Sequence, residues 1–235
     1  MNLEEIMQTL EELGSEQTKK TFINHGARGL LFGVKVGDLK KLVKHVKKDQ
    51  ELALALYETG NSDAMYLAGL SVKPKLMSKE TLQLWVQKAD WYMLAEYTVA
   101  GVAAESPFPL ELAREWMKSD EEMIAVAGWS TYSNYLSITP DELLDLGEIR
   151  SLLHQVESTV HQEKNRVRYV MNGFVISVGA YVTELNEEAK SVAEKIGKVH
   201  VDVGRTACKV PLATDYIKKI ENLNRIGVKR KTCIC

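Results

Sequence analysis

Seven basic residues in two clusters are the side chains best suited to a chemical task. Lys164, Arg166 and Arg168 open one helix-like stretch; Lys198, His200, Arg205 and Lys209 crowd the segment 198–210. Cations at a helix start oppose the macrodipole by ~0.3–1 kcal/mol. A bound anion would offset that cost, and phosphate oxygens accept from such side chains. The plainer alternative is a solvated face beside Glu163. The same choice holds for Lys40, Lys41, Lys44, Lys47 and Lys48, which form stripes at helical spacing. Trp91, Tyr92 and Phe174, with Trp129, could wall a site with ring faces, although large aromatics are usually core. No HExxH, P-loop, GxGxxG or nucleophile elbow is present. Cys233 and Cys235 supply two thiols where zinc wants four ligands, so neither metal nor cofactor is expected. Glu121/Glu122 and Glu187/Glu188 sit at helix starts, where negative charge suits the dipole.

Helices must position these residues. Leu3, Ile6, Met7, Leu10 and Leu13 share one helical face, and Gly14 ends it. Ser15 then caps a second helix to about His25. The glycine-rich stretch 26–37 reads as a structured loop. Further helices are expected over 38–48, 50–59, 62–72, 78–88, 91–105, 109–118, 120–136, 140–157, 163–182, 186–196 and 211–225, with Ser62, Ser78, Asp90, Asp120 and Asn186 as caps. A mid-helix step recurs through them as Ala68-Gly69, Ala100-Gly101, Ala127-Gly128 and Asn172-Gly173. Each such glycine costs ~1 kcal/mol against alanine. Close helix approach at equivalent places in a stacked array explains four of them. Spacings of 32, 27 and 45 residues suit a degenerate helical repeat.

One segment breaks the pattern. Val199, Val201 and Val203 alternate with polar residues, which favours strand. A turn at Gly204-Arg205 would pair Val203 with Thr206, Val201 with Cys208 and Val199 with Val210. The expectation is an antiparallel β-hairpin over 198–210, with Arg205 at a projecting tip. A last helix and a basic tail follow over 211–235. No Ser/Gly-rich linker divides the 235 residues, so 1–235 is expected to be one domain.

Charge is uneven. Net charge is −2, yet from Lys195 onward ten Lys/Arg face three Asp/Glu, so the rest carries −9. A basic final sixth on an acidic body reads as an electrostatic handle or as a solvated tail. No apolar run reaches the ~18 residues of a membrane span. Three cysteines and an acidic, amphipathic start favour a reducing, cytoplasmic setting.

GVKVGDLKKLVK (33–44), VQKADWYMLAEYTVAG (86–101), EWMKSDEEMIAVAGW (115–129) and RYVMNGFVISVGAY (168–181) together resemble the AlkD-like DNA alkylation-repair family. The resemblance covers most of residues 15–196. It implies an all-α superhelix of HEAT-like repeats that wraps DNA with a basic concave face. In that family an Asp and an Arg serve excision of alkylated bases. The resemblance places Ala95 at the Asp position and Val126 at the Arg position. Trp91 matches the preceding aromatic and Phe174 the last one. Glu96 is adjacent to Ala95, but one helical position rotates a side chain by ~100°. The segment 198–210 and the closing CKVP…KRKTCIC look like the AlkF-type branch. That branch is implied to bind branched DNA through an inserted hairpin without base excision. The expected partner is therefore DNA, bound without sequence specificity. A 3-methyladenine/7-methylguanine glycosylase and a protein-binding helical scaffold stand as alternatives.

Overall fold

Capping chemistry decides where the helices begin. The computed structural model describes residues 1–234. Asn2 closes a capping box with Glu5 at the head of α1 (Leu3–Leu13). The Ser15 hydroxyl accepts from the Thr18 N–H to start α2 (Glu16–Asn24). There follow α3 (Val36–Val46), α4 (Gln50–Glu58), α5 (Ser62–Ser71), α6 (Lys79–Lys88) and α7 (Tyr92–Leu94). A π-helical turn at Ala95–Val99 joins α7 to α8 (Ala100–Glu105). Then come α9 (Pro109–Trp116), α10 (Glu122–Ile138), α11 (Leu146–Thr159), α12 (Asn165–Tyr181), α13 (Asn186–Ile196) and α14 (Ala213–Asn222). Ser78 caps α6 as expected. At α5 the cap is Asn61, whose side chain takes the N–H groups of Asp63 and Ala64, so Ser62 is the first helical residue. Leu185 and Glu121, not Asn186 and Asp120, precede α13 and α10.

The array has two layers. The inner layer runs α5, the π turn with α8, α10 and α12, each packed on the next. The outer layer, α4, α6, α9, α11 and α13, backs it. Charged staples join α6 to α9, α9 to α11, α11 to α13 and α13 to α14. Lys79 reaches Glu111 at 2.6 Å, Arg114 grips Glu148 with two bonds of 2.6 and 2.7 Å, Arg150 meets Glu188 at 2.9 Å and Lys190 meets Glu221 at 3.3 Å. A shared core runs from Ile6 to Ile217. Among the described residues, no helix is long and apolar enough to cross a membrane.

The recurrent glycines all fall on inner helices, and their reasons differ. A Cβ on Gly69 would collide with the Thr98 side chain, and one on Gly128 would stand 2.5 Å from the Met117 nitrogen. These two permit close approach. Gly101 has ordinary contact with Cys233, and Gly173 faces open space. Close packing therefore accounts for two of the four.

The glycine-rich loop is organised by one buried carboxylate. Asp63, at the start of α5, accepts from the N–H groups of Phe32, Gly33 and Val34 at 2.7, 3.0 and 2.9 Å. Gly33 has φ +81° and lies against the Ser15–Lys19 backbone, so no other residue fits there.

The β-hairpin does not form. Residues 198–210 make a loop with no strand ladder. Its backbone groups go to side chains instead. Asn165 takes both the N–H and the carbonyl of Asp202, at 2.7 and 2.8 Å. The Asp202 carboxylate takes the Gly204 N–H, and the Thr206 hydroxyl bonds the Val203 carbonyl and the Cys208 N–H. Such local bonds compete directly with ladder formation, and a two-stranded ribbon alone is marginal. Val199 is buried and Val201 half-buried, so the valine alternation serves packing on helices. The tip does not project freely either. A Cβ on Gly204, at φ +69°, would stand 2.8 Å from the Asn24 carbonyl oxygen at the end of α2.

The C-terminal tail is built in. The Lys229 ammonium donates to the carbonyls of Leu136 and Tyr181, at 3.0 and 2.7 Å, and meets Asp141 at 2.7 Å. It thereby caps the ends of α10 and α12 together. The Cys233 N–H reaches Glu105 at 2.6 Å. Part of the basic tail thus acts as a strap across the inner helices. Cys208 is an exposed thiol and Cys233 a buried one; Cys235 lies outside the described residues.

Candidate nucleic-acid interface

The inner helices frame a cleft of about 890 Å³. Its walls come from the end of α2, the α6–α7 junction, the start of α10, the start of α12 and the loop 202–208. First and last thirds of the chain therefore meet around one opening.

A buried ion pair backs its wall: Arg166 lines the cleft and pairs with Glu96 behind it. Glu96, on the π turn, and Arg166, on the first turn of α12, join through two bonds: Nε to Oε1, and Nη2 to Oε2 at 2.9 Å. Their side chains are 7% and 14% exposed, so this is an interior pair. The guanidinium lies between two rings, 3.8 Å from the centroid of Tyr92 and 3.9 Å from that of Tyr169. Both contacts have cation–π geometry. Burial pushes the Glu96 carboxyl above the ordinary carboxylate value, and the guanidinium pulls it back. For Arg166, burial works to lower the value, but the carboxylate outweighs it and holds the guanidinium charged. Burial likewise raises the Tyr92 and Tyr169 phenols, which stay neutral donors. The Tyr92 hydroxyl pairs with His25 Nδ1 at 2.9 Å, linking the cage to the end of α2.

The π turn re-phases the chain at this point. Such turns are single-turn insertions and are frequent at functional sites. Here it puts Glu96 into the interior beside Arg166, while Ala95 is fully buried in the core.

The predicted site residues separate into groups. Tyr92 and Arg166 meet in the cage. Trp91 lines the cleft but is 4% exposed, packed on Phe22 and Tyr92 at centroid distances of 5.7 and 5.6 Å. Phe174 is core: it is fully buried against Trp129 and Tyr132 and forms no part of the cleft wall. Lys164 is exposed and donates to the Asp120 carbonyl. Arg168 is half-buried and donates to the Asn165 side chain at 3.3 Å. Lys198, His200, Arg205 and Lys209 are all exposed on the loop. Asn165 ties that loop to the start of α12, and of the seven predicted basic residues Arg166 alone lines the cleft. The lysines of α3 face solvent, with Lys41 paired to Asp38 at 2.7 Å. The cleft itself also carries Asp90, Glu121, Glu122 and Asp202. Among the described residues, no group of three or more His, Cys, Asp or Glu could hold a metal ion.

Sequence reasoning missed Tyr97, Tyr169 and Asn165. Tyr169 follows Arg166 by three residues, a spacing that stacks side chains on one helix face. That signal was available. The pairing of Arg166 with Glu96, 70 residues apart, carried none.

The family described as DNA alkylation repair enzyme matches residues 6–196 of this chain. The chain belongs to that family. Among relatives, uncharacterized protein Lmo0209 of Listeria monocytogenes and uncharacterized protein Lin0241 of Listeria innocua are each 37% identical over 219 residues, covering 91% of this chain and 94% of theirs. A solved structure aligns over 100% of both chains, with TM-score 0.91 and 37% identity. It is described as belonging to a new family of proteins related to the HEAT-like repeat DNA glycosylases with affinity for branched DNA structures. The fold is therefore the HEAT-like helical repeat of this superfamily, without the expected hairpin. Ala95 and Val126, which the sequence resemblance set at the positions of the glycosylase Asp and Arg, are both fully buried.

Proposed function

We propose that this chain acts as a single unit that binds DNA without reading base sequence, prefers bent or branched structures, and does not excise bases. The observation that carries the reading is the closed Glu96–Arg166 pair. A glycosylase carboxylate must be open to a developing sugar cation. This one already has a cation, held by two bonds and two ring faces. The likeness to a protein with affinity for branched DNA supports the partner. Phosphates would be met by the exposed cations at the rim: Lys164, Lys198, His200, Arg205 and Lys209. Arg166 and Arg168 would act from behind, by shaping the start of α12. A reader of this kind senses how DNA bends rather than its base edges. The setting we infer is the cytoplasm.

The cleft carboxylates favour a second reading, in which a basic protein segment enters instead. One experiment separates the two. Gel shifts with linear, bulged and four-way-junction DNA should show tightest binding to the junction. A parallel assay on methylated DNA should release no 3-methyladenine or 7-methylguanine. Equal, negligible shifts with all three DNAs would move the case to a protein partner. Base release abolished by Glu96→Gln would establish a glycosylase.

A further inference from the structure

Beside the cleft lies a second cavity of about 340 Å³, between the π turn, α10, α12 and the C-terminal strap. Tyr97 and Tyr169 belong to both spaces. The rest of its wall includes Ser130 and Asn134 of α10, Gly173 and Ser177 of α12, and the strap at Arg230 and Cys233. Gly173 is the anomaly. A mid-helix glycine costs ~1 kcal/mol; its counterparts Gly69 and Gly128 are required by tight neighbours, and Gly101 is in ordinary contact with the strap. Nothing lies within 4 Å of a Cβ built on Gly173. Its hydrogen keeps the cavity open; it does not admit another helix.

The lining indicates what the space accepts. Tyr97 is 55% exposed and offers a ring. Serine hydroxyls and the Asn134 amide offer donors and acceptors in both senses. The one carboxylate in the wall, Glu96, is already neutralised by Arg166. Ring faces, neutral hydrogen-bonding groups and the Arg230 side chain at the strap match a flat, polar ligand. On the DNA-binding reading, on which this inference rests, we infer that the cavity receives the base of one unpaired nucleotide, the kind a bulge or junction presents and a linear duplex does not.

A duplex carrying one bulged 2-aminopurine tests it. Binding should quench 2-aminopurine emission as the base stacks on tyrosine. Gly173→Leu fills the cavity from a position with room for it, so the melting temperature should not fall. Affinity for the bulged duplex should drop about five- to hundredfold, the loss that removing one base–aromatic stack produces, while affinity for linear duplex holds. Ser177→Leu, one turn further along α12, plugs the same space should the first variant misfold. A Gly173→Leu protein that binds and quenches like wild type overturns the proposal. Wild-type protein that binds a four-way junction but leaves the emission unchanged overturns the cavity assignment and leaves DNA binding standing. Failure to bind any DNA removes both.

Discussion

Replacing Arg166 by Met should destabilise the protein in a way that depends on pH. Met keeps much of the stem and removes the charge, leaving Glu96 buried with a 7% exposed side chain. Alone there, Glu96 will take up a proton. Holding a proton at pH 7 on a group whose ordinary value is 4.5 costs about 1.36 kcal/mol per pH unit, or roughly 3.4 kcal/mol. At pH 5 the same term is about 0.7 kcal/mol. The lost contacts with Tyr92 and Tyr169 add roughly 1–2 kcal/mol that pH does not change. The deficit should therefore be about 4–5 kcal/mol at pH 7 and about 2 kcal/mol at pH 5. The sign follows from proton counting. An acid whose folded value is raised binds more protons folded than unfolded, so its favourable contribution is present below pH 4.5 and is lost as pH rises toward the folded value.

Adding Glu96→Gln removes the titrating group. The double variant should regain about 2–3 kcal/mol over Arg166→Met at pH 7 and almost nothing at pH 5. That agrees with the general finding that breaking one partner of a buried pair costs more than replacing both. Urea unfolding followed by far-UV circular dichroism, from pH 5 to 8, measures all of this. An Arg166→Met deficit that stays constant across the range would refute the view that Arg166 keeps a buried Glu96 charged.

Other perturbations test the remaining contacts. Lys229→Met strips three partners from the ends of α10 and α12 and should cost ~2–4 kcal/mol in urea unfolding; a loss under 0.5 kcal/mol would mean the strap is ornamental. Asn165→Ala should speed amide hydrogen exchange across 198–210 while exchange in α10 is unchanged, since Asn165 holds both backbone groups of Asp202; unaltered loop protection would show another anchor. If three to five phosphates are met at the rim, log affinity should fall with log salt at a slope of roughly −3 to −5, and a flat response would exclude Lys164, Lys198, Arg205 and Lys209 from DNA contact.

The parts of the fold legible in sequence were those fixed locally. Helix ends at Ser15 and Ser78 followed from side-chain caps that reach only three residues. The small-residue steps at Gly69 and Gly128 marked inner helices because close approach there leaves no room for a Cβ. Where the outcome depended on a distant group, local pattern misled. The valines of 198–203 alternate as a strand should, yet Asn165, more than 30 residues earlier, takes the backbone groups a partner strand would need. Arg166 reads as a phosphate ligand at a helix start. Within the chain it also pairs with Glu96, on a π turn that no hydrophobic period announces. The lost hairpin and the unforeseen Glu96 pairing have one cause. In a curved array, concave residues from repeats far apart in sequence face each other, so a site there is assembled by non-local pairs. The same argument makes Gly173 informative. Its neighbours cannot explain it, because it has none within reach. A costly residue with open space where its side chain would stand supports the reading that the cavity it lines is kept open for a ligand.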